Sequence, residues 1–240
     1  MTEILEYTKL ARYYDAFFTH TKDYEKEASE IKQLVTKYKI ARGNTLLDVA
    51  CGSGRHLLYL KKWYRCTGID LNQEMLDIAK KLVQGVSFKK ANMIKLKTSK
   101  KFDIVTCLFS AIGYVKTYKN LNKTIKNLNA ALKPGGILII DGWFDKKGWR
   151  TGYAGIRLVD TGKMKIALAG SSKRSGMISR TQQHWLIAEE NKGIKYFVDT
   201  QEHGLFERDK FLKILRSNGF KARIIKSPMP GRPRYLAIKP

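Results

Sequence analysis

At 240 residues, 43% hydrophobic and 28% charged, the chain has material for one domain with a sizeable core, or one domain with an inserted cap. No stretch approaches the roughly 18 apolar residues of a membrane span, the opening MTEILEYTKL lacks a signal-peptide pattern, and cysteines 51, 66 and 107 lack metal-ligand spacing, so a cytoplasmic protein with reduced thiols and no metal is expected. The net charge of +25 admits nucleic acid, anionic lipid or an anionic small molecule as partner, but the lysines are scattered in pairs with no long basic tail, which equally describes a solvated surface.

Residues 1–40 read as a helical lid. Ile31, Leu34, Val35 and Tyr38 fall on one helical face. Tyr7, Tyr13, Tyr14, Phe17, Phe18 and Tyr24 form an aromatic cluster ahead of them. Core packing is the ordinary role of such rings; their number also suits a cover over a site. Residues 45–56 read TLLDVACGSGRH. Leu46, Leu47 and Val49 suit a buried parallel strand with Asp48 near its carboxyl end. Gly52 and Gly54 permit a sharp turn and a close ligand approach. A helix over about 54–62 follows, its first N–H groups free. A second strand, 66–69, ends at Asp70, and Asn72 can cap the helix carrying Met75, Leu76, Ile78, Ala79 and Leu82. A short third strand, 86–88, precedes Ala91, Asn92 and Met93. The apolar segment 102–109 reads as a central fourth strand. Leu121, Ile125, Leu128 and Leu132 stripe a helix that Pro134-Gly135-Gly136 ends, and 137–140 is a fifth strand.

This alternation predicts an α/β fold with a Rossmann-like, doubly wound, mainly parallel sheet. It breaks at Trp143. Short alternating segments at 163–168, 177–185 and 194–198 predict an antiparallel β cap inserted at 143–202. A helix over 208–217 and strands over 220–225 and 234–238 return to the sheet, so 41–142 with 203–240 makes the cofactor domain.

A strand, a glycine loop and a helix in this order make a nucleotide-type cofactor cradle. A dinucleotide fingerprint wants a third glycine where Leu57 stands, and no GxxxxGK loop is present. What remains resembles the first motif of class I methyltransferases, which bind S-adenosylmethionine. That resemblance implies a set of cofactor residues. Asp70 would accept both ribose hydroxyls, although an acid at a strand end is often only a helix cap. Asp48, through the loop backbone or a water, and the carbonyls of Ala50 and Cys107 would hold the methionine ammonium. Asn92, where Asp is common, would accept from the adenine amine. Met93 would cover the adenine or simply pack, with Leu71 and Met75 completing the set.

Further segments narrow the likeness. Tyr14-Asp15 with Lys22-Asp23-Tyr24, the glycine loop and VTCLFSAIGYVKT over 105–117 resemble the dTDP-amino-sugar N,N-dimethyltransferases. The match continues through Pro134-Gly135-Gly136, Trp143-Phe144, Gly152-Tyr153, His184, Leu205-Phe206 and Gly231-Arg232. By position, Tyr14 and Tyr24 would close over the sulfonium, Tyr114 would lie near the acceptor amine, and Trp143, Tyr153 and Arg232 would meet a nucleotide-linked sugar. Core packing for each tyrosine and solvent exposure for Arg232 are the plain alternatives. Two segments depart from the family: Gly142-Trp143-Phe144-Asp145-Lys146 stands for Pro-Trp-Trp-Phe-Pro, and Pro228-Met229-Pro230-Gly231-Arg232-Pro233 for Gly-Pro-Ser-Gly-Arg-Gly.

The expected reaction is N-methylation of an amino group on a small nucleotide-linked sugar, with water, Tyr114 or His184 serving the departing proton and water favoured, and with Tyr14 the further catalytic residue. An RNA or protein methyltransferase is the rival that the charge would serve, but Cys107-Leu108-Phe109-Ser110 stands where an Asn-Pro-Pro-Tyr or Asp-Pro-Pro-Tyr motif would be. A non-catalytic cofactor-binding protein is the second rival. A homodimer is left open, and nucleic acid is not favoured.

Overall fold

The computed structural model describes residues 7–240; the first part of the expected lid and the ring of Tyr7 lie outside the described residues. Two helices open the chain, α1 (Tyr7–Thr21) and α2 (Tyr24–Tyr38). Asp23 starts α2 by accepting the Lys26 N–H at 2.9 Å, and Ala28, Ile31 and Val35 make its buried face. Alternation follows: β1 (Thr45–Val49), α3 (Arg55–Leu60), β2 (Arg65–Asp70), α4 (Gln73–Leu82), β3 (Ser87–Lys90), β4 (Phe102–Cys107), α5 (Tyr118–Ala131) and β5 (Leu132–Asp141). Four strands then run consecutively, β6 (Ala154–Asp160), β7 (Met164–Ser175), β8 (Ile178–Glu189) and β9 (Gly193–Gly204). Helix α6 (Arg208–Ser217) and strands β10 (Lys221–Ile225) and β11 (Arg234–Ile238) complete the fold.

The main sheet has seven strands in the order β10-β11-β5-β4-β1-β2-β3. It is parallel except for β11, which pairs antiparallel with both β5 and β10. Leu138, Ile140, Val105 and Leu47 pack one face of it against α5 and α6; Ile137, Ile139, Ile104 and Leu46 pack the other against α2, α3 and α4. Chain direction across the sheet reverses between β1 and β4, the switch point where ligands bind beyond the strand carboxyl ends. The second sheet, β6-β7-β8-β9, is wholly antiparallel. Its inner face packs on α1 through Trp185, Phe197, Ile187, Phe17 and Leu10. The doubly wound sheet with an antiparallel cap is thus the fold class read from the sequence.

Three local expectations are corrected. The glycine pair after α5 does not lie between helix and strand. Leu132 is already extended (φ −90, ψ 145), and Gly135 and Gly136 are stitched into β5 by hydrogen bonds with Lys239. The fourth strand ends at Cys107, because Phe109 (φ 53) and Ser110 (φ 64) adopt left-handed backbone. The cap strands are long, and an extra one, β6, precedes them. Gly170 and Lys173, which fall between the expected segments 163–168 and 177–185, lie inside β7. One face of this sheet is solvated, so polar residues and glycines belong within its strands.

Candidate active site

The glycine loop is shaped by three left-handed residues, Ala50 (φ 58), Gly52 (φ 55) and Gly54 (φ 76). A Cβ on Gly54 would lie 3.2 Å from the Ala79 Cβ and 3.3 Å from Val83, so this glycine lets α3 close on α4. A Cβ on Gly52 would meet nothing within 4 Å, leaving room above the loop for a ligand. Asp70 organises this edge. One carboxylate oxygen accepts the Gly52 N–H at 2.8 Å and the other the Asn72 N–H at 2.8 Å. The Leu71 N–H adds a third bond, and a carboxylate with about four lone-pair sites keeps acceptor capacity for a ribose hydroxyl. Burial pushes the Asp70 carboxyl up, and the N–H groups of Asn72 and Gly52 pull against it. Asn72 itself caps α4, accepting the Met75 N–H at 3.0 Å.

Around Asp70, Leu71 is 60% exposed, an apolar side chain left at the cradle's surface. Met75 is buried beneath it in α4. Asn92 accepts the Ile94 N–H at 2.8 Å through its side-chain oxygen, whose second lone pair stays available. Met93 packs partly buried beside it. These features fit an adenosine: a diol acceptor, an amide acceptor and apolar walls. Asp48 is buried and accepts from the Thr106 hydroxyl at 2.7 Å, not from the loop backbone. Burial pushes it up to about 6. Cys107, also buried, ends β4 beside this acid.

Past β4 the Phe109-Ser110 turn is held by groups from β5. Asp141 accepts the Phe109 N–H at 3.0 Å and pairs with Arg234 at 2.6 Å. The Ser110 hydroxyl donates to the Gly142 carbonyl at 2.7 Å. Two strained residues at the switch point, fixed this firmly, mark a functional turn. Asp141 and Arg234 carry no motif, and the sequence reading missed both.

The lid meets this turn. Phe18 packs edge-on against Phe109 (ring centroids 5.1 Å apart) and stacks obliquely with Tyr14 (4.5 Å). Tyr14 is 6.2 Å from Trp185 of the cap. Burial pushes the Tyr14 phenol up; Asp199 and Asp70 add to this, and Arg157 and Arg232 oppose it. Tyr14 therefore stands within electrostatic reach of both the cofactor edge and the cap. Tyr24 packs edge-on against His56 at 4.9 Å, and burial followed by the nearby Tyr14 pushes its phenol up. The lid also reaches the glycine loop directly: Asp15 accepts from the Ser53 hydroxyl at 2.5 Å and from the Arg55 guanidinium.

On the far side, an aromatic stack runs from Tyr114 through His203 (4.2 Å) to Trp143 (4.3 Å, 21° between planes). The Arg232 guanidinium covers Trp143 at 4.2 Å and reaches the Ser110 hydroxyl at 3.4 Å. Burial pulls its pKa down to about 10, which leaves it charged at neutral pH. Trp143 donates to the Ser179 hydroxyl at 2.9 Å, tying the β5 end to the cap. Tyr153 lies half-exposed at the start of β6. His184 is not brought to this cleft. Side chains alternate along β8, so His184 faces away from the side Trp185 shares with Tyr14, and it bonds Tyr196 there. This corrects its expected place at the site. His203, on the inner face, stands in the aromatic stack of this cleft instead, and burial pulls it down to about 3, so it is neutral.

A methyltransferase-domain family model matches residues 46–136, the segment from β1 into β5. The dTDP-3-amino-3,4,6-trideoxy-alpha-D-glucopyranose N,N-dimethyltransferase of Streptomyces venezuelae is 28% identical over 227 residues, 94% of this chain and 95% of that protein. The dTDP-3-amino-3,6-dideoxy-alpha-D-glucopyranose N,N-dimethyltransferase of Streptomyces fradiae is 28% identical over 88% of this chain and 82% of that protein. Among solved structures, Streptomyces venezuelae DesVI superposes with a TM-score of 0.90 at 28% identity, covering 95% of this chain and 97% of that one. The S-adenosylmethionine-bound amino pentose methyltransferase CalS10 of Micromonospora echinaspora superposes over the whole of both chains at 0.86 and 25% identity. The chain thus carries a methyltransferase domain in the fold of the class I S-adenosylmethionine-dependent methyltransferases, and over nearly its whole length it resembles the dTDP-amino-sugar N,N-dimethyltransferases.

Proposed function

We propose that this enzyme N-methylates an amino group on a small, nucleotide-linked sugar, in the cytoplasm. The observation that carries this reading is the likeness, over nearly the whole chain, to proteins named as dTDP-amino-sugar N,N-dimethyltransferases. In this reading 1–40 serves as lid, 41–142 with 203–240 as cofactor domain, and 143–202 as cap.

S-adenosylmethionine, when bound, supplies an electrophilic methyl group on a sulfonium. The chain's task is to hold two reactants in line. Asp70 takes the ribose diol, Asn92 the adenine amine, and Leu71 and Met93 the adenine faces, with Met75 beneath. Asp48 and the Ala50 and Cys107 carbonyls balance the methionine ammonium. Tyr14 and Tyr24 offer electron-rich rings to the cation. Arg232, backed by Trp143, grips the pyrophosphate, a pairing that suits a guanidinium. Tyr153 borders the sugar, and Tyr114 lies beside the acceptor amine. Neutral His203 and the raised phenols of Tyr14 and Tyr114 are weak proton acceptors, so the proton leaves through water.

The test is direct. The protein is incubated with S-adenosylmethionine and dTDP-3-amino-3,6-dideoxy-D-glucose, and the sugar nucleotide is followed by mass spectrometry. One or two methyl increments are expected. Arg232→Ala should raise KM for the sugar nucleotide and leave S-adenosylhomocysteine affinity unchanged. No methyl increment from a protein that still binds S-adenosylhomocysteine would overturn the amino-sugar reading and leave the enzyme class standing.

A further inference from the structure

The cap's inner face carries a polar strip that the cofactor cradle does not use. Strand register sets Gly155, Gly170, Gln183 and Asp199 side by side across β6 to β9. Asp199 stands two residues beyond Phe197, the register partner of Trp185, so the strip shares the face that looks towards Tyr14. It crosses three inter-strand spacings, about 14 Å. Its middle is bare: a Cβ on Gly170 would meet only the Gln182 carbonyl, at 3.7 Å. At one end the Tyr153 hydroxyl folds over Gly155, 2.5 Å from where a Cβ would sit. At the other end lies Asp199, only 8% exposed.

Asp199 is built into place. Its Oδ2 accepts from the Gln201 amide at 2.8 Å, and the same amide nitrogen donates to Gln183 at 3.4 Å. Among the described residues no lysine or arginine pairs with it. A carboxylate so buried is costly without a cation or more donors. Burial accordingly pushes its carboxyl up, against the help of Gln201 and the Thr200 N–H. Two buried ring nitrogens on the same face, Trp185 Nε1 and His203 Nδ1, have no partner among the described residues. A slot with a bare floor, unmet polar rings and, at one end, a buried acid without a lysine or arginine partner among the described residues is shaped for a polar ligand bearing a donor-rich or positive group.

We infer that Asp199 is the residue that reads the acceptor's amine, accepting its N–H hydrogens while Gly170 leaves space for the sugar ring between Asp199 and Tyr153. This rests on the amino-sugar reading above and deepens it. A carboxylate accepts from an ammonium or from a neutral amine, and in the second case turns the lone pair away from itself. A hydroxyl at the same carbon offers one hydrogen and no charge, so the site prefers the amine.

Two probes separate these ideas: dTDP-3-amino-3,6-dideoxy-D-glucose and dTDP-6-deoxy-D-glucose, which differ in amine against hydroxyl. Each is titrated calorimetrically into protein saturated with S-adenosylhomocysteine. The wild type should prefer the amino sugar by about tenfold or more, and Asp199→Asn and Asp199→Ser should bind both sugars alike while keeping S-adenosylhomocysteine affinity within about twofold. Preference retained in both variants would overturn the assignment, as would absence of preference in a wild type that binds both sugars. An equal loss of S-adenosylhomocysteine affinity in both variants would make Asp199 a structural residue and also overturn it. A wild type that binds neither sugar would sink the amino-sugar reading itself, and the assignment with it.

Discussion

Asp48 is held in the ligand-free protein at a cost. Burial raises its pKa from 3.8 to about 6, so between these values the folded state binds the proton and the unfolded state does not. Stability therefore falls as pH rises through that window, and the loss is complete above it. Asp48→Asn keeps an acceptor for Thr106 and removes the charge; it should stabilise the ligand-free protein at pH 8 by up to about 3 kcal/mol in urea unfolding and weaken S-adenosylmethionine binding. A variant no more stable than wild type at pH 8 would show that the charge is not strained. The comparison must be between proteins, not between pH values. His203, drawn down to about 3, loses stability as pH falls below 6.5 and so opposes Asp48 in the same range. Asp70 is also pushed up by burial, but bonds from the loop N–H groups offset part of that cost. Asp70→Ala should weaken S-adenosylhomocysteine binding by about 1.5–3 kcal/mol, measured by calorimetry. Unchanged affinity would remove it from the ribose site.

At the scale of elements, the lid is bound to the cofactor loop as well as resting over it. Asp15 of α1 joins Ser53 and Arg55, on either side of Gly54. Asp15→Ala should speed hydrogen exchange across α1 and weaken S-adenosylhomocysteine binding by about 1–3 kcal/mol, with exchange in β7 and β8 unchanged. Unaltered α1 protection would mean that the cap contacts alone hold the helix. The doubly wound part of the fold was legible because each of its signals is local: the apolar run of β1, the glycine turn and the Asn72 cap all lie within a few residues. The cap was less so. Its strands carry glycines and lysines on a solvated face, which blurs their limits. More telling is the pair His184 and His203. Which face a side chain takes depends on strand parity, and one residue of register reverses it. Nothing beside His184 in the chain discloses its face, and Asp199 was hidden in the same way. Asp141 and Arg234 escaped notice because their partner, the Phe109-Ser110 turn, is remote in sequence.

For the whole molecule, 46 basic residues against 21 acidic ones impose self-repulsion. Raising sodium chloride from about 20 to about 300 mM shortens the Debye length from roughly 20 Å to below 8 Å and should raise the thermal midpoint. A midpoint that falls with salt would mean that attractive pairs dominate the surface. A short RNA added to the same assay should give no shift at physiological salt; a shift that fades steeply as salt rises would move the substrate reading towards nucleic acid. Charge also bears on the order of the main sheet, where β11 lies between β5 and β10 although it follows both in the chain. During vectorial synthesis β5 emerges well before its neighbour, and the entire cap is made in between. Through that interval the nascent chain presents the bare edge of an apolar strand, the form most prone to join another chain. A strongly cationic nascent surface keeps such chains apart, so the lysines would serve the protein before it is finished.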